Sequence, residues 1–181
     1  MSTGLYEQAV AARSRGDLQG ARVAVMGAGG AARACVYALR EKNAEVTILA
    51  RDESKAVALA NEFGAAGLDL AKIKDPSSKI SLNGFDIIVN ATPWGMKGEL
   101  ENQSPFTADE LAGVKFVFDL VTSADDTPLI REAKRAGVPA MGGEEMLLEQ
   151  AAKQYEIWTG RPAPLDIMRN ALNNKQRETQ G

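Results

Sequence analysis

Val23-Ala24-Val25-Met26-Gly27-Ala28-Gly29-Gly30-Ala31-Ala32-Arg33-Ala34 decides how the rest of the chain is read. A short apolar run stops at a cluster of glycines, and a run of helix formers follows at once. Strand, tight turn and helix start in that order make a dinucleotide-binding βαβ unit, here with the spacing G-x-G-x-x-A. Gly27 suits the turn. Gly29 leaves room for backbone to approach a pyrophosphate, and Ala32 lets the helix pack close to the strand. The helix start, from Gly30 and Ala31 onward, offers unpaired N–H groups and a partial positive charge to phosphate. The plainer alternative is a glycine turn that only tightens strand–helix packing.

The same alternation of strand and helix runs through the whole chain. A helix is expected over 4–15, a first strand over 22–26 and its helix over 30–42, broken at Asn43. Glu45-Val-Thr-Ile-Leu49 reads as a β-branched second strand. Ser54 is the expected N-cap of a helix ending at Phe63-Gly64, and Leu68 and Leu70 mark a short third strand. Residues 71–84 are polar and irregular. Phe85–Val89 is a fourth strand, a short helix starts near Thr107, and Val114–Leu120 is a fifth strand. Thr127-Pro128 caps and starts a helix closed by Gly137, and Val138–Met141 is a short sixth strand. Helices over 144–158, ended by Gly160, and over 164–174 complete the chain, with a frayed polar tail from Asn173. This pattern predicts an α/β fold, a doubly wound Rossmann-type parallel sheet, in a single domain over 1–181.

The bulk properties exclude several classes. With 181 residues, 45% apolar and 25% charged, the chain has the composition of an ordinary globular domain. A net charge of −3 favours neither nucleic acid nor an anionic membrane as partner. No apolar run approaches the roughly 18 residues that cross a bilayer, and the N-terminus has no basic start or apolar core, so a cytoplasmic protein is expected. The single cysteine, Cys35, forms no internal disulfide and reads as a small buried hydrophobe. There is no histidine, which removes the Ser-His-Asp triad, the Cys-His pair, imidazole acid–base chemistry and His-ligated metal.

Cofactor choice is read at the end of the second strand. An acidic residue there, about 20 positions past the glycines, binds the ribose hydroxyls of NAD, whereas an arginine accommodates the 2′-phosphate of NADP. This chain has Leu49-Ala50-Arg51-Asp52-Glu53-Ser54-Lys55. Arg51 comes first and Lys55 follows about one helical turn later, a pair able to clamp a dianion. That favours NADP. Asp52 complicates it, because a carboxylate there either binds ribose hydroxyls, as for NAD, or repels a phosphate. A solvated charged loop is the plainer alternative for Arg51 and Lys55.

Taken together, these stretches resemble the C-terminal, NADP-binding domain of the shikimate dehydrogenase family. Gly27–Ala34 resembles its glycine-rich loop, and Ala50–Ala56 its Asn-Arg-Thr-x-x-(Arg/Lys)-Ala phosphate-binding stretch. Asp86–Thr92 resembles the strand and loop that face the nicotinamide. Phe118–Val121 with Thr127-Pro128-Leu129 resembles the segment after the fifth strand, and Gly142-x-x-x-Met146-Leu147-x-x-Gln150-Ala151 the helix that borders the substrate. Ile157–Gly160 with Pro162-Ala163-Pro164 continues the match, which covers about 18–172. The resemblance implies hydride transfer between NADP and shikimate/3-dehydroshikimate, a step in aromatic amino acid biosynthesis. It implies that Gly27, Ala28, Gly29, Gly30, Ala31 and Ala32 hold the pyrophosphate, with Arg51, Asp52 and Lys55 around the 2′-phosphate. Asn90, Ala91 and Thr92 would wall the nicotinamide ribose, Val121 and Gly143 would approach the nicotinamide, and Gln150 would reach the substrate.

Residue chemistry is compatible with the Gln150 role. Met146, Gln150 and Gln154 recur at four-residue spacing beside Leu147, Ala151 and Tyr155, and an amide on a mostly apolar face needs a partner. A substrate hydroxyl or a backbone carbonyl would serve. Trp94, in the turn after a strand, reads either as a cleft residue or as simple packing. Two departures from the family stand out: Thr122 replaces its usual tyrosine, and Asp52 its usual threonine, which also opens an NAD-using, quinate-directed alternative.

The family's acid–base lysine and aspartate belong to an N-terminal substrate domain and its border, upstream of the match. The chain is therefore expected to be one half of an enzyme, with the catalytic domain supplied in cis or in trans, and to carry no catalytic residue itself. Asp119 and Lys97 are its only acid–base candidates near strand ends, and Asp119 is expected instead to hold the following loop through backbone hydrogen bonds. The alternative of a different class is a nucleotide- or partner-binding module that does no chemistry.

Overall fold

The computed structural model describes residues 18–178 except 76, 79 and 124, and of 173–178 the helical backbone alone. The helix expected over 4–15 lies outside the described residues. The elements follow the alternation closely: β1 (Arg22–Met26), α1 (Gly30–Glu41), β2 (Glu45–Ala50), α2 (Glu53–Phe63), β3 (Ala66–Asp69), α3 (Ala71–Lys74), β4 (Ile87–Asn90), α4 (Ala108–Leu111), β5 (Phe116–Asp119), α5 (Pro128–Arg135), β6 (Ala140–Met141), α6 (Gly143–Thr159) and α7 (Leu165–Glu178). A 3₁₀ turn at Leu82–Gly84 precedes β4.

Six strands form one sheet in the order β3-β2-β1-β4-β5-β6, with every paired neighbour parallel. This is the doubly wound order, and the direction of winding reverses between β1 and β4. Because helices cover both faces, successive strand residues are buried on opposite sides. Val23, Val25, Ile48, Val89 and Phe118 pack with α1 and α2. Ala24, Met26, Leu49, Ile88 and Val117 pack with Leu111, Leu129 and Ala133 on the other side. That two-sided burial is why these strands read as continuous apolar runs. Cys35 is buried in the α1 face of the core, as expected.

Three local readings are corrected. Asp52, not Ser54, is the N-cap of α2: its side chain accepts from the Ser54 and Lys55 amides. Residues 71–84, expected to be irregular, contain α3 and the 3₁₀ turn. The last helix runs to Glu178, past the tail expected from Asn173. Among the described residues no helix is long and apolar enough to cross a membrane.

Two aspartates lock the strand ends. At the N-terminal edge, Asp86 accepts from the Arg22 amide at 2.9 Å and pairs with Lys115 Nζ at 3.0 Å, while its carbonyl takes the Lys115 amide. The starts of β1, β4 and β5 are thereby tied together. The Arg22 amide above all, with help from Lys115 and the Arg22 side chain against the cost of burial, brings the Asp86 carboxyl down to about 2.

At the C-terminal edge, Asn90 and Asp119 are fully buried neighbours in register on β4 and β5. Asn90 Nδ2 donates to Asp119 Oδ1 (2.9 Å) and to the Trp94 carbonyl (3.1 Å). Its Oδ1 accepts from the Thr92 amide (3.1 Å) and hydroxyl (2.6 Å). All four hydrogen-bonding positions of that amide are filled. Asp119 also accepts from the Val121 amide (3.1 Å) and the Thr127 hydroxyl (2.6 Å), and Thr127 in turn caps α5. Burial pushes the Asp119 carboxyl up, against the pull of the bonds from Thr127, Val121 and Asn90.

Each aspartate yields a stability prediction. The lowered Asp86 carboxyl stabilises the fold above the unfolded group's range, and this contribution is lost as pH falls through about 2. Asp86→Asn should cost about 2 kcal/mol at pH 7 in urea denaturation, and its difference from wild type should shrink between about pH 4 and pH 2. A difference independent of pH would exclude the charge as its source. Asp119→Ala leaves three buried donors without an acceptor and should cost about 3 kcal/mol. Asp119→Asn keeps one acceptor oxygen and removes the buried charge, so it should cost about 1 kcal/mol or less. Equal costs for the two substitutions would show that the network is not what Asp119 supplies.

Candidate dinucleotide cleft

The cleft opens where the winding reverses. Gly27 follows β1 and Ala91 follows β4; Ala91 N donates to the Met26 carbonyl (3.0 Å), stitching those two chains, while Gly27 N donates to the Leu49 carbonyl of β2 (2.8 Å). Gly27 has φ +102°, and a Cβ there would lie 2.9 Å from the Ala91 carbonyl oxygen. Both the backbone conformation and the close approach require glycine. Gly29 and Gly30, by contrast, face open space. They begin α1, whose N-cap, Gly29, has no side chain to cover the helix amides, and whose first turn carries no acidic residue. An uncovered helix start beside empty space is a ready anion site.

The resulting cleft measures about 640 Å³. Gly27, Ala28 and Gly29 line it from β1, and Leu49, Ala50, Arg51, Asp52 and Lys55 from β2 and α2. Leu70 lines it beyond β3, and Ala91, Thr92, Pro93, Trp94 and Leu100 beyond β4. The wall from Thr92 to Trp94 is held in place from beneath by Asn90.

Charge is concentrated at the β2 end. The exposed Arg51 side chain makes no salt bridge or hydrogen bond to any described residue. Lys55 Nζ stands 3.7 Å from Asp52 Oδ2. Asp52 Oδ1 accepts from Ser54 Oγ (2.5 Å), Ser54 N (3.1 Å) and Lys55 N (3.4 Å). The Ser54 hydroxyl first, then the Lys55 amide and ammonium and the Ser54 amide, hold the Asp52 carboxyl below the usual range, against some desolvation. Asp52 is thus a helix cap with a lysine beside it.

Eight of the residues singled out from sequence come together on this cleft: Gly27, Ala28, Gly29, Arg51, Asp52, Lys55, Ala91 and Thr92. Trp94 does both things considered for it, lining the cleft and packing on the core below. Gly30 and Ala31 form the first turn of α1 beside Gly29. Others take different places. Ala32 is fully buried in the core, and Asn90 lies beneath the wall rather than on it, which corrects its reading as a ribose contact. Val121 is buried too, and Gly143 packs against it: a Cβ on Gly143 would lie 2.4 Å from the Leu120 carbonyl oxygen. This glycine is accounted for by the seating of α6 on the loop after β5.

Gln150 lies half-buried on α6, away from the cleft lining, and its amide makes no hydrogen bond to any described residue. The helix buries Leu148 and Ala152, whereas Leu147 is exposed, so the apolar face is turned one residue from the one expected. Lys97 is exposed, Asp119 is internal, and neither lines the cleft. Leu70 and Leu100 were missed as cleft residues. Leu70 was expected within the third strand and instead follows its end at Asp69, where parallel sheets gather ligands. Leu100 is brought in by its loop, through its carbonyl to the Gly95 amide, and carries no sequence signal.

Comparison with known proteins identifies the family. Residues 9–114 match the family model Shikimate / quinate 5-dehydrogenase, and residues 143–172 match Shikimate 5′-dehydrogenase C-terminal domain. Over 158 residues the chain is 41% identical to the shikimate dehydrogenase (NADP(+)) of Methanocella arvoryzae, covering 87% of this chain and 58% of that protein. The shikimate 5-dehydrogenase of Thermus thermophilus, solved with NADP(H) and shikimate, superposes with a TM-score of 0.78 at 32% identity, covering 96% of this chain and 61% of that one. Quinate dehydrogenase from Corynebacterium glutamicum, solved with NAD, gives 0.77 at 25% identity, covering 93% and 60%. The chain therefore spans about three fifths of the length of these relatives. With more than half of its residues inside the first family match, this chain belongs to the shikimate/quinate 5-dehydrogenase family.

Proposed function

We propose that this chain is the NADP-binding domain of a shikimate dehydrogenase, working with a substrate-binding domain supplied in cis or in trans. The observation that carries the reading is the cleft itself: an uncovered helix start after β1 at its middle, two cations after β2 on one side, and the hydrogen-bonded wall after β4 on the other. The Gly29–Ala31 turn receives the pyrophosphate on the α1 amides. Arg51 and Lys55 receive the 2′-phosphate, and Ala91 and Thr92 bound the nicotinamide ribose. NADP, when bound, supplies the hydride acceptor for oxidation of the cyclic hydroxy acid and, reduced, the donor for the return reaction.

The chain's own contribution is binding and orientation. Arg51, Asp52 and Lys55 are the ionisable residues lining the cleft, and all sit at its β2 end. None is placed to take the substrate's hydroxyl proton, which leaves acid–base work to the other domain. Gln150, with its amide uncommitted, is offered to a substrate hydroxyl. Large apolar side chains on α6 and α7 stand in solvent, with Trp158 79% and Ile167 70% exposed. A docking domain would cover such groups. The reading keeps the single-domain organisation and cytoplasmic setting expected from the sequence. Asp52 favours a second reading, in which the same cleft serves an NAD-using, quinate-directed enzyme.

The purified chain should bind NADPH in a fluorescence titration and turn over shikimate negligibly. No binding of NADPH or NADH at millimolar concentration would remove the cofactor reading. Robust turnover would show that the catalytic groups lie within this chain after all.

A further inference from the structure

We infer that Asp52 sets the cofactor discrimination of this cleft, by filling the anion site at the start of α2 with the chain's own carboxylate. A 2′-phosphate then competes with Asp52 for Lys55 and for the helix amides, so NADPH gains little over NADH. The inference rests on the cleft being a dinucleotide site and concerns the residues around one of its ends.

Three observations combine. First, Asp52 Oδ1 already takes the Ser54 amide, the Lys55 amide and the Ser54 hydroxyl. Those amides are what the N-terminus of α2, an 11-residue helix, would otherwise present to a phosphate. Second, Asp52 Oδ2 faces Lys55 Nζ at 3.7 Å, so one of the two expected phosphate cations has an internal counter-ion. Third, Arg51 is uncommitted among the described residues and shares the cleft lining with both. Arg51, Asp52 and Lys55 together carry one net positive charge toward a dianion, where Arg51 and Lys55 alone would carry two.

The cap makes this arrangement persistent. Asp52 swings away from an incoming phosphate only by uncovering the Ser54 and Lys55 amides. The cap also limits the alternative role of a ribose ligand, which uses both carboxylate oxygens, because Oδ1 has three donors of its own. A neutral N-capping residue separates the two properties. Asparagine and serine cap helices about as well as aspartate and carry no charge.

The test is a binding cycle on the full chain with NADPH and NADH, and with 2′,5′-ADP and 5′-AMP as probes of the phosphate alone. Melting temperatures confirm that the cap is kept. Asp52→Asn and Asp52→Ser should each tighten NADPH and 2′,5′-ADP about tenfold at low salt, leave NADH and 5′-AMP within about twofold, and lose most of the gain at 1 M salt. Lys55→Met should weaken NADPH less in the wild-type background, where Asp52 already faces the ammonium, than in the Asp52→Ser background. An unchanged NADPH-to-NADH ratio, or equal effects of Lys55→Met in both backgrounds, would overturn the assignment. Weakened NADH binding in Asp52→Asn would overturn it in favour of a ribose ligand. Failure of every variant and wild type to bind any of the four nucleotides would overturn the dinucleotide reading along with it.

Discussion

β1 and β4 lie side by side, yet their chains must leave the sheet for helices on different faces. They do so within contact distance of each other, at Gly27 and Ala91. Only a residue with positive φ and no Cβ fits between the β1 end and the Ala91 carbonyl. The opening of the cleft, the direction of α1 and the exposure of its first amides all follow from that one close approach. A side chain at Gly27 would press the two loops apart and turn the helix start away from the space it addresses.

The second support lies under the same place. Asn90 and Asp119 share a hydrogen bond inside the sheet edge, and each commits its remaining capacity to the loop that follows. A buried polar pair of this kind is stable only when complete. Here it is complete, and it connects the cleft wall at Thr92–Trp94 to the Thr127 cap of α5. The wall has no need of a ligand to hold its shape. That suits the proposed role of presenting a dinucleotide in one fixed position.

Much of this was legible in the chain. The two-sided apolar runs of β1, β2, β4 and β5 announce a covered parallel sheet. The glycine cluster marks the first turn, and Thr107 and Thr127-Pro128 mark helix starts that form as expected. The Asp52 cap was harder. Asp52 and Ser54 are both good capping residues two positions apart. The choice depends on where the chain leaving β2 stops being extended, and Asp52 itself remains extended (φ −105°, ψ 102°). The buried side of α6 was likewise open. Periodicity identifies an amphipathic helix, but the packing of Gly143 onto Leu120 and Val121 fixes its rotation and puts Leu148 rather than Leu147 inside.

By itself, then, the sequence determined the alternating elements, the glycine turn and the presence of two cations after β2, because each depends on neighbours a few residues away. Tertiary structure alone decided that Asn90 supports the cleft from below, that Gly143 serves packing, and that Leu100 folds back onto the cleft within the loop after β4. It also decided that Asp52 is tied to α2 and Lys55. Those outcomes depend on which backbones meet across the sheet, and on which donors are left for a carboxylate once they have met. Local sequence spacing carries no information about either.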